Sequence, residues 1–238
     1  MREEFLKEVA GPIANRPQDA ILPHIGYRIW AATYDDEPNP ILSLEMRVLA
    51  ERIGEIAGTR ILDAGSGTGR WMEWATERGA CVFGIDACPE MVLNAERKPG
   101  LRGRSAIADI RSIPLADDSV KLALCSFTIG YLPSPDTVFH ELARVSRQVI
   151  VSDIHPEAVR AGWTRSFRAQ DRVYELVHHH HSVTELDNCA QRAGLSRKWR
   201  IEASFGESER EVFRRAGKEH TFYSVRQIPA VLITAWQK

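Results

Sequence analysis

Short apolar runs recur along the chain at 60–63, 81–85, 104–108, 120–126 and 148–152, and their lengths and β-branched content predict strands. Between them, apolar residues return at helical spacing near 68–78, 89–96 and 135–145. Upstream, Ile41, Leu44, Val48, Leu49, Ile53 and Ile56 mark one face of a helix over 40–56 that should pack on the sheet. Ser134-Pro135 opens the helix near 135–145 with proline at the first helical position. Ser182-Val183-Thr184-Glu185 has capping-box form, and Gly194 ends the helix it opens. Strands near 197–204 and 229–236 close the sheet. Alternating strands and helices imply an α/β fold, a mostly parallel sheet with helices on both faces. No internal repeat or dividing linker interrupts the pattern, so a single domain over 1–238 is expected.

The run Arg60-Ile61-Leu62-Asp63-Ala64-Gly65-Ser66-Gly67-Thr68-Gly69 carries the densest chemistry. An apolar strand ends in Asp63, and alternating glycines precede a helix. Glycine has no Cβ and tolerates positive φ, so the backbone can turn sharply and approach a ligand closely. The amides of the first helical turn then face whatever sits above the strand end. A nicotinamide fingerprint reads G-x-G-x-x-G; here the spacing is G-x-G-x-G, with Asp63 two residues ahead of Gly65. A carboxylate so placed repels a pyrophosphate and suits a cofactor with positive charge and donors, such as the sulfonium and α-ammonium of S-adenosyl-L-methionine. Two further strands end in acids. Asp86 stands where a βαβ unit places its ribose-binding carboxylate. Asp109 can accept from an adenine amino group while Ile110 packs on the ring. A lone acid at a strand end often only caps the next helix; three in succession around a glycine loop point to a cofactor.

From Ile61 to Asp153 the chain resembles the class I S-adenosylmethionine-dependent methyltransferases, in particular the methyltransferase type 11 group of the ubiquinone and menaquinone C-methyltransferases. The resemblance rests on Asp63 to Gly69, Asp86 and Asp109-Ile110. It also rests on Ile113-Pro114-Leu115-Ala116-Asp117-Asp118-Ser119-Val120 before the fourth strand, where Lys121 replaces the usual aspartate. Upstream, Tyr27-Arg28-Ile29-Trp30-Ala31-Ala32-Thr33-Tyr34-Asp35 is similar to the tyrosine-rich segment that precedes the fold in this group. The resemblance implies a Rossmann-like seven-stranded sheet with an antiparallel final strand, an N-terminal lid over 1–36 and a substrate-cover insertion over 154–181. It implies S-adenosyl-L-methionine held by Tyr27, Tyr34, Asp63, Gly65, Ser66, Gly67, Asp86, Ala87, Met91, Asp109, Ile110, Phe127 and Thr128. The acceptor it implies is a small molecule with an O, N, S or C nucleophile, near Trp30, Tyr131, His155 and His178.

Ligands of such sheets bind outside the carboxyl ends of the strands. After the fifth strand comes Asp153-Ile154-His155-Pro156. His155 is the candidate base, since a free imidazole titrates near neutrality, and Asp153 could orient it or act itself. The bland alternative has His155 bonding only to backbone beside Pro156. The connection that follows, to about residue 181, is longer than an ordinary loop and carries Trp163, Phe167, Tyr174 and the run His178 to His181. Consecutive histidines cannot all face one ion from a regular element, so a surface or pocket-edge strand is expected and no metal. Cys125 lacks the Pro-Cys context of cytosine methyltransferases and reads as a packed strand cysteine.

Composition narrows the partners. The 31 basic and 32 acidic side chains are interspersed, for a net charge of −1, so no electrostatic footprint for nucleic acid appears. Arg210, Arg214 and Arg215 lie among glutamates and read as solvated helix surface. The cysteines are scattered without metal spacing, as reduced thiols of a cytoplasmic protein would be. No apolar run is long enough to span a bilayer and the N-terminus lacks a signal core, so no membrane insertion is expected. These residues leave open a protein or RNA acceptor, a cofactor-binding subunit without turnover, and the oligomeric state.

Overall fold

The computed structural model describes residues 20–238, so the first part of the expected lid lies outside the described residues. Two helices come first, α1 (Pro23–Trp30) and α2 (Pro40–Ile53). The alternating core follows: β1 (Arg60–Ala64), α3 (Arg70–Glu77), β2 (Cys81–Asp86), α4 (Pro89–Arg97), β3 (Ser105–Ile107) and β4 (Val120–Ser126). After a 3₁₀ turn at Ile129–Tyr131 come α5 (Asp136–Val145), β5 (Ser146–Ile154) and the short α6 (Pro156–Arg160). A hairpin of β6 (Ser166–Ala169) and β7 (Arg172–Glu175) precedes α7 (Val183–Arg192). The chain ends with β8 (Ser196–Ala203), α8 (Glu207–Arg215), α9 (Glu219–Val225) and β9 (Val231–Gln237).

Seven strands form one sheet in the order β3-β2-β1-β4-β5-β9-β8. The first five run parallel, and β9 inserts antiparallel between β5 and β8. β1 and β4 are buried along nearly their whole length because helices cover both faces, which is why they read as continuous apolar runs. On one face α2 and α3 set Leu44, Leu49, Trp71 and Met72 against Ile61, Leu122 and Ile150. On the other, α5 and α7 set Phe139, Leu142 and Leu186 against Leu62, Ala123 and Trp236. The order reverses between β1 and β4: the chain winds outward through β2 and β3, then returns. Loops at the carboxyl ends of β1 and β4 therefore diverge and leave a crevice.

Boundaries shift where capping chemistry decides. Asn39 caps α2, its side chain accepting from the amides of Ile41 and Leu42 at 3.0 and 3.3 Å. The helix stops at Ile53, short of the expected Ile56, because Gly54 adopts φ +75°. Pro135 occupies the capping position of α5 rather than its first turn. Ser182 caps α7 as expected, accepting from the Glu185 amide at 3.1 Å. Within 154–181 the chain folds into α6 and the β6–β7 hairpin, elements that the sequence pattern did not announce.

A single carboxylate ties the helices to the sheet. Glu45 sits on the apolar face of α2 and is 0% exposed. It pairs with Arg70 at 2.6 Å and accepts from Trp71 Nε1 at 3.1 Å, both on α3. Its other oxygen accepts from Ser126 Oγ at the end of β4, 2.7 Å, and from Ser152 Oγ on β5, 2.5 Å. With four donors on one buried carboxylate, removing it strands a guanidinium and an indole N–H. Glu45→Ala should lower unfolding free energy by about 3–5 kcal/mol, the range for breaking a buried ion pair from one side. Urea unfolding measures it; a loss below about 1 kcal/mol would show that the network is not structural.

Candidate functional site

At the carboxyl ends of β1, β2 and β4 lies a cavity of about 330 Å³. The loop after β1 forms its floor. Gly65 takes φ +79°, and a Cβ there would overlap the side chain of Thr128. The amides of Gly65 and Ser66 donate to Ile85 O at 2.8 and 2.9 Å, which locks the loop to β2. Gly67, at φ +55°, has nothing within 4 Å of its Cβ direction. The same loop is tied to the amino-terminal segment: Thr68 Oγ1 donates to Asp35 Oδ1 at 2.7 Å, and Lys98 pairs with Asp35 at 3.0 Å.

Most of the residues singled out by sequence meet in this wall. Asp63, Gly65, Ser66, Gly67, Asp86, Ala87, Asp109, Ile110, Phe127, Thr128, Tyr131, Tyr27 and Tyr34 all line it. Asp86 accepts from the Gly67 amide through one oxygen and from the Cys88 amide through the other, both at 2.8 Å. A carboxylate has about four acceptor positions, so half of them stay free. Asp109 is engaged more fully. Arg111 donates to both of its oxygens, closest at 2.5 Å, and holds its carboxyl below the usual range. An amino group arriving there must displace one of those donors.

Asp63 is the unusual group. It is 2% exposed and accepts no hydrogen bond among the described residues. Burial pushes its pKa up to about 7; Arg70 opposes the shift, while Glu45 and Asp86 add to it. Two neighbouring donors are also unmatched: Ser66 Oγ and Arg70 Nη1 are buried without a partner among the described residues. Arg70 escaped the sequence reading, though it left a signal. A cation in the first turn of a helix opposes the macrodipole, so another charge must hold it there. That charge is Glu45, itself legible as the one acid inside the apolar stripe of α2.

The aromatic cover is built from the segment before β1 and from the connections after β4 and β5. Tyr27 and Tyr131 share a hydrogen bond of 2.7 Å, and burial together with Tyr131 raises Tyr27 well above the ordinary phenol range. Burial pushes Tyr34 up to about 12. The Arg165 guanidinium stacks over Tyr131 at 4.6 Å, forms an ion pair with Asp153 and donates to Phe127 O at 2.6 Å. Phe127 has φ +50°, a strained value for a residue with a side chain. The Arg165 bond and the Phe127 amide donating to Ser152 O at 2.9 Å hold it there.

Several expectations are corrected. His155 is 5% exposed and lies on the β8 side of the sheet, outside the cavity. Its Nδ1 accepts from the Glu157 amide at 3.0 Å, capping α6, and its Nε2 stands 3.6 Å from Glu202. Burial holds its imidazole below the ordinary range. It caps α6 and does not line the crevice. Asp153 is bound to Arg165 and also lies outside the cavity wall, so it orients the arginine rather than a histidine. Met91, 1% exposed, packs with Ala31 and Cys88 behind the wall instead of forming it. His178 lies in a separate recess beside Asp153 and Arg165, its Nδ1 donating to Leu176 O at 2.8 Å. Trp30, expected beside the acceptor rather than the cofactor, lines a neighbouring cavity. Cys125 is buried in β4, where burial pushes its thiol up. The histidine that does reach this wall is the exposed His24, in the first turn of α1, which the sequence reading passed over.

A glycine loop with carboxylates at successive strand ends, on a doubly wound sheet, defines an adenosyl-cofactor type of α/β domain. Residues 61–149 match the family model of the methyltransferase domain. The bifunctional biotin-biosynthesis protein BioHC of Cellvibrio japonicus is 28% identical over 69% of this chain and 33% of its own length. The ubiquinone/menaquinone biosynthesis C-methyltransferase UbiE of Bdellovibrio bacteriovorus is 33% identical over 49% of this chain and 54% of its own. The chain thus spans between a third and about half the length of these curated relatives. An S-adenosylmethionine-dependent methyltransferase from Mesorhizobium loti superposes with TM-score 0.65 at 22% identity, over 82% of this chain and 98% of that one. In its central domain and in its fold, the chain is similar to the class I S-adenosylmethionine-dependent methyltransferases.

The raised pKa of Asp63 has a consequence for stability. Its folded value near 7 exceeds the unfolded value of about 3.9, so the folded protein holds the proton more tightly. The associated stability is fully present below about pH 4 and is lost as pH rises through about 7. Asp63→Asn cannot titrate. It should gain on the native chain over that window by up to ~1.4 kcal/mol per pH unit. Urea unfolding of both proteins across about pH 4 to 8 measures the difference, and a pH-independent gap would remove Asp63 from this role.

Proposed function

We propose that the protein transfers a methyl group from S-adenosyl-L-methionine to a small-molecule nucleophile. The observation that carries this reading is the buried, unpartnered carboxylate of Asp63 beside unmatched donors on Ser66 and Arg70. Such a constellation fits a ligand that brings both an ammonium and a carboxylate. Asp63 takes the ammonium, and the free Nη1 of Arg70 takes the carboxylate. The open acceptor positions of Asp86 suit vicinal ribose hydroxyls. Ile110 and Ala87 supply the apolar wall for a purine, with Asp109 at its edge. A dinucleotide would set its pyrophosphate against three carboxylates, a Coulombic penalty that the glycine loop cannot offset.

S-adenosylmethionine supplies an electrophilic methyl group on a sulfonium, which needs no further activation by the protein. The chain's own residues orient the partners and keep water out. Tyr27, Tyr34 and Tyr131 present aromatic faces over the crevice, a surface that attracts positive charge. We read residues 1–36 as a lid and residues 154–181 as a substrate cover, both parts of one domain. Tyr27 and Tyr34 come from the former, Tyr131 from the turn after β4, and Arg165, which fixes Tyr131 and Phe127, from the latter. Relatives named for biotin and quinone biosynthesis favour a small-molecule acceptor. Among the described residues no helix is long and apolar enough to cross a membrane, which is compatible with the expected cytoplasmic location.

Two measurements test the reading. Titration calorimetry should find micromolar binding of S-adenosylmethionine and S-adenosylhomocysteine and none of NAD; binding of NAD alone would overturn the cofactor assignment. Asp86→Ala should weaken S-adenosylhomocysteine binding by roughly 1.5–3 kcal/mol, the scale of hydrogen bonds to a charged group. Unchanged affinity would sink the ribose role.

A further inference from the structure

Beside the cofactor crevice lies a second cavity of about 430 Å³, and Tyr34 and Leu42 stand in the walls of both. Its walls are aromatic. Trp30 from α1 stacks on Phe167 from β6, with centroids 4.7 Å apart and planes 6° from parallel. Trp163 stacks on Phe205 at 5.9 Å and 16°. Phe213 on α8 meets Phe205 edge-on at 5.0 Å. Broad, near-parallel ring pairs leave a space that suits a flat apolar guest.

The polar groups of this wall carry a definite sign. Lys218 and Arg168 both line the cavity, and neither has an acid within ion-pair distance among the described residues. Glu37, also in the wall, acts on Lys218 only at longer range. Burial pushes Lys218 below the ordinary amine range; Glu37 opposes that shift and the like charge of Arg168 adds to it. Two cations that oppose each other at a partly dry surface are relieved by one anion placed near both. The indole N–H groups of Trp30 and Trp163 add to this, because both are buried without a partner among the described residues. Apart from the exposed Glu37, the unmatched polar groups named here are donors or cations.

We propose that this chamber takes a flat apolar molecule bearing an anionic group of the carboxylate type, with Lys218 and Arg168 as its charge anchors and the stacked aromatics as its walls. That this guest is the methyl acceptor rests on the reading above, since the shared wall of Tyr34 and Leu42 sets it beside the cofactor crevice. Its charge preference does not depend on that reading.

The probe pair is 2-naphthoate and its neutral isostere 2-naphthamide, titrated calorimetrically into the full chain. The naphthoate should bind at least about tenfold more tightly. The double variant Lys218→Gln/Arg168→Gln should lose that preference while keeping its affinity for S-adenosylhomocysteine, which reports that the crevice remains folded. Equal binding of acid and amide to the native chain overturns the proposal, as does a preference that survives in the double variant. A protein that ignores S-adenosylhomocysteine yet still prefers the naphthoate upholds the anion chamber and overturns only the methyl-transfer reading.

Discussion

Two carboxylates, Glu45 and Asp63, compete for one guanidinium at the centre of this protein while Asp86 adds like charge nearby, and the imbalance organises what surrounds it. Glu45 claims Arg70 directly, at 2.6 Å in a fully buried position, and draws α2, α3, β4 and β5 together through its remaining donors. Asp63 is left with only part of Arg70's field, and Glu45 and Asp86 act against it. The fold therefore holds a carboxylate that it does not itself satisfy. Burying an uncompensated charge is costly, and such a group shifts its pKa toward neutrality, as Asp63 does. A ligand ammonium restores the missing charge. Stability of the empty site and affinity for a cationic ligand are in this way two sides of one electrostatic deficit.

The sheet topology puts that deficit where a ligand can reach it. Because the chain reverses direction between β1 and β4, their trailing loops separate, and Asp63 and Phe127 face one crevice from its two sides. The cover over this crevice is itself held by charge. Asp153, at the end of β5, fixes Arg165; Arg165 then holds the strained Phe127 backbone and the Tyr131 ring, and Tyr131 holds Tyr27. The amino-terminal segment is joined a second time through Asp35 to Thr68 and Lys98. Both anchor chains end on residues of the crevice, so the position of the cover and the shape of the site are coupled.

The strands of the core and the acids at their ends were legible because a doubly covered parallel strand must be apolar throughout, and a polar residue closing such a run stands out. Asp63, Asp86 and Asp109 were found that way. The hairpin of β6 and β7 was not. Its strands, Ser-Phe-Arg-Ala and Arg-Val-Tyr-Glu, are short and half polar, and Gln170 and Asp171 make the turn with φ +50° and +58°. A turn with positive φ at both positions normally shows glycine or asparagine, and none marks this one. The misplacement of His155 has a different origin. Sequence order put it just past a strand end, where ligands bind, but the chain turns there into α6. Its ring was recruited to cap that helix, on the far side of the crevice. Adjacency along the chain sets the end of the sheet; it does not choose the side on which a loop residue lands.

The loss of His155 and Asp153 as bases changes what the site must do for the proposed reaction. Tyr27 cannot replace them. Its phenol hydrogen-bonds with that of Tyr131 and is pushed up by burial, so it faces the crevice as a neutral hydrogen-bonding group. Asp63 is committed to balancing charge, and Asp86 holds the glycine loop. Among the described residues the crevice has no free buried base, and such a site works best on nucleophiles that arrive already deprotonated, or whose acidity the surroundings raise. Lys218 and Arg168 do the latter for whatever occupies the adjoining chamber, since a positive field favours the deprotonated form of any acid within it. Separating the cation-binding crevice from a cationic second chamber thus divides the labour electrostatically. In the proposed reaction, carboxylates hold the positively charged donor on one side of Tyr34, and the Lys218 and Arg168 cations face an electron-rich partner on the other.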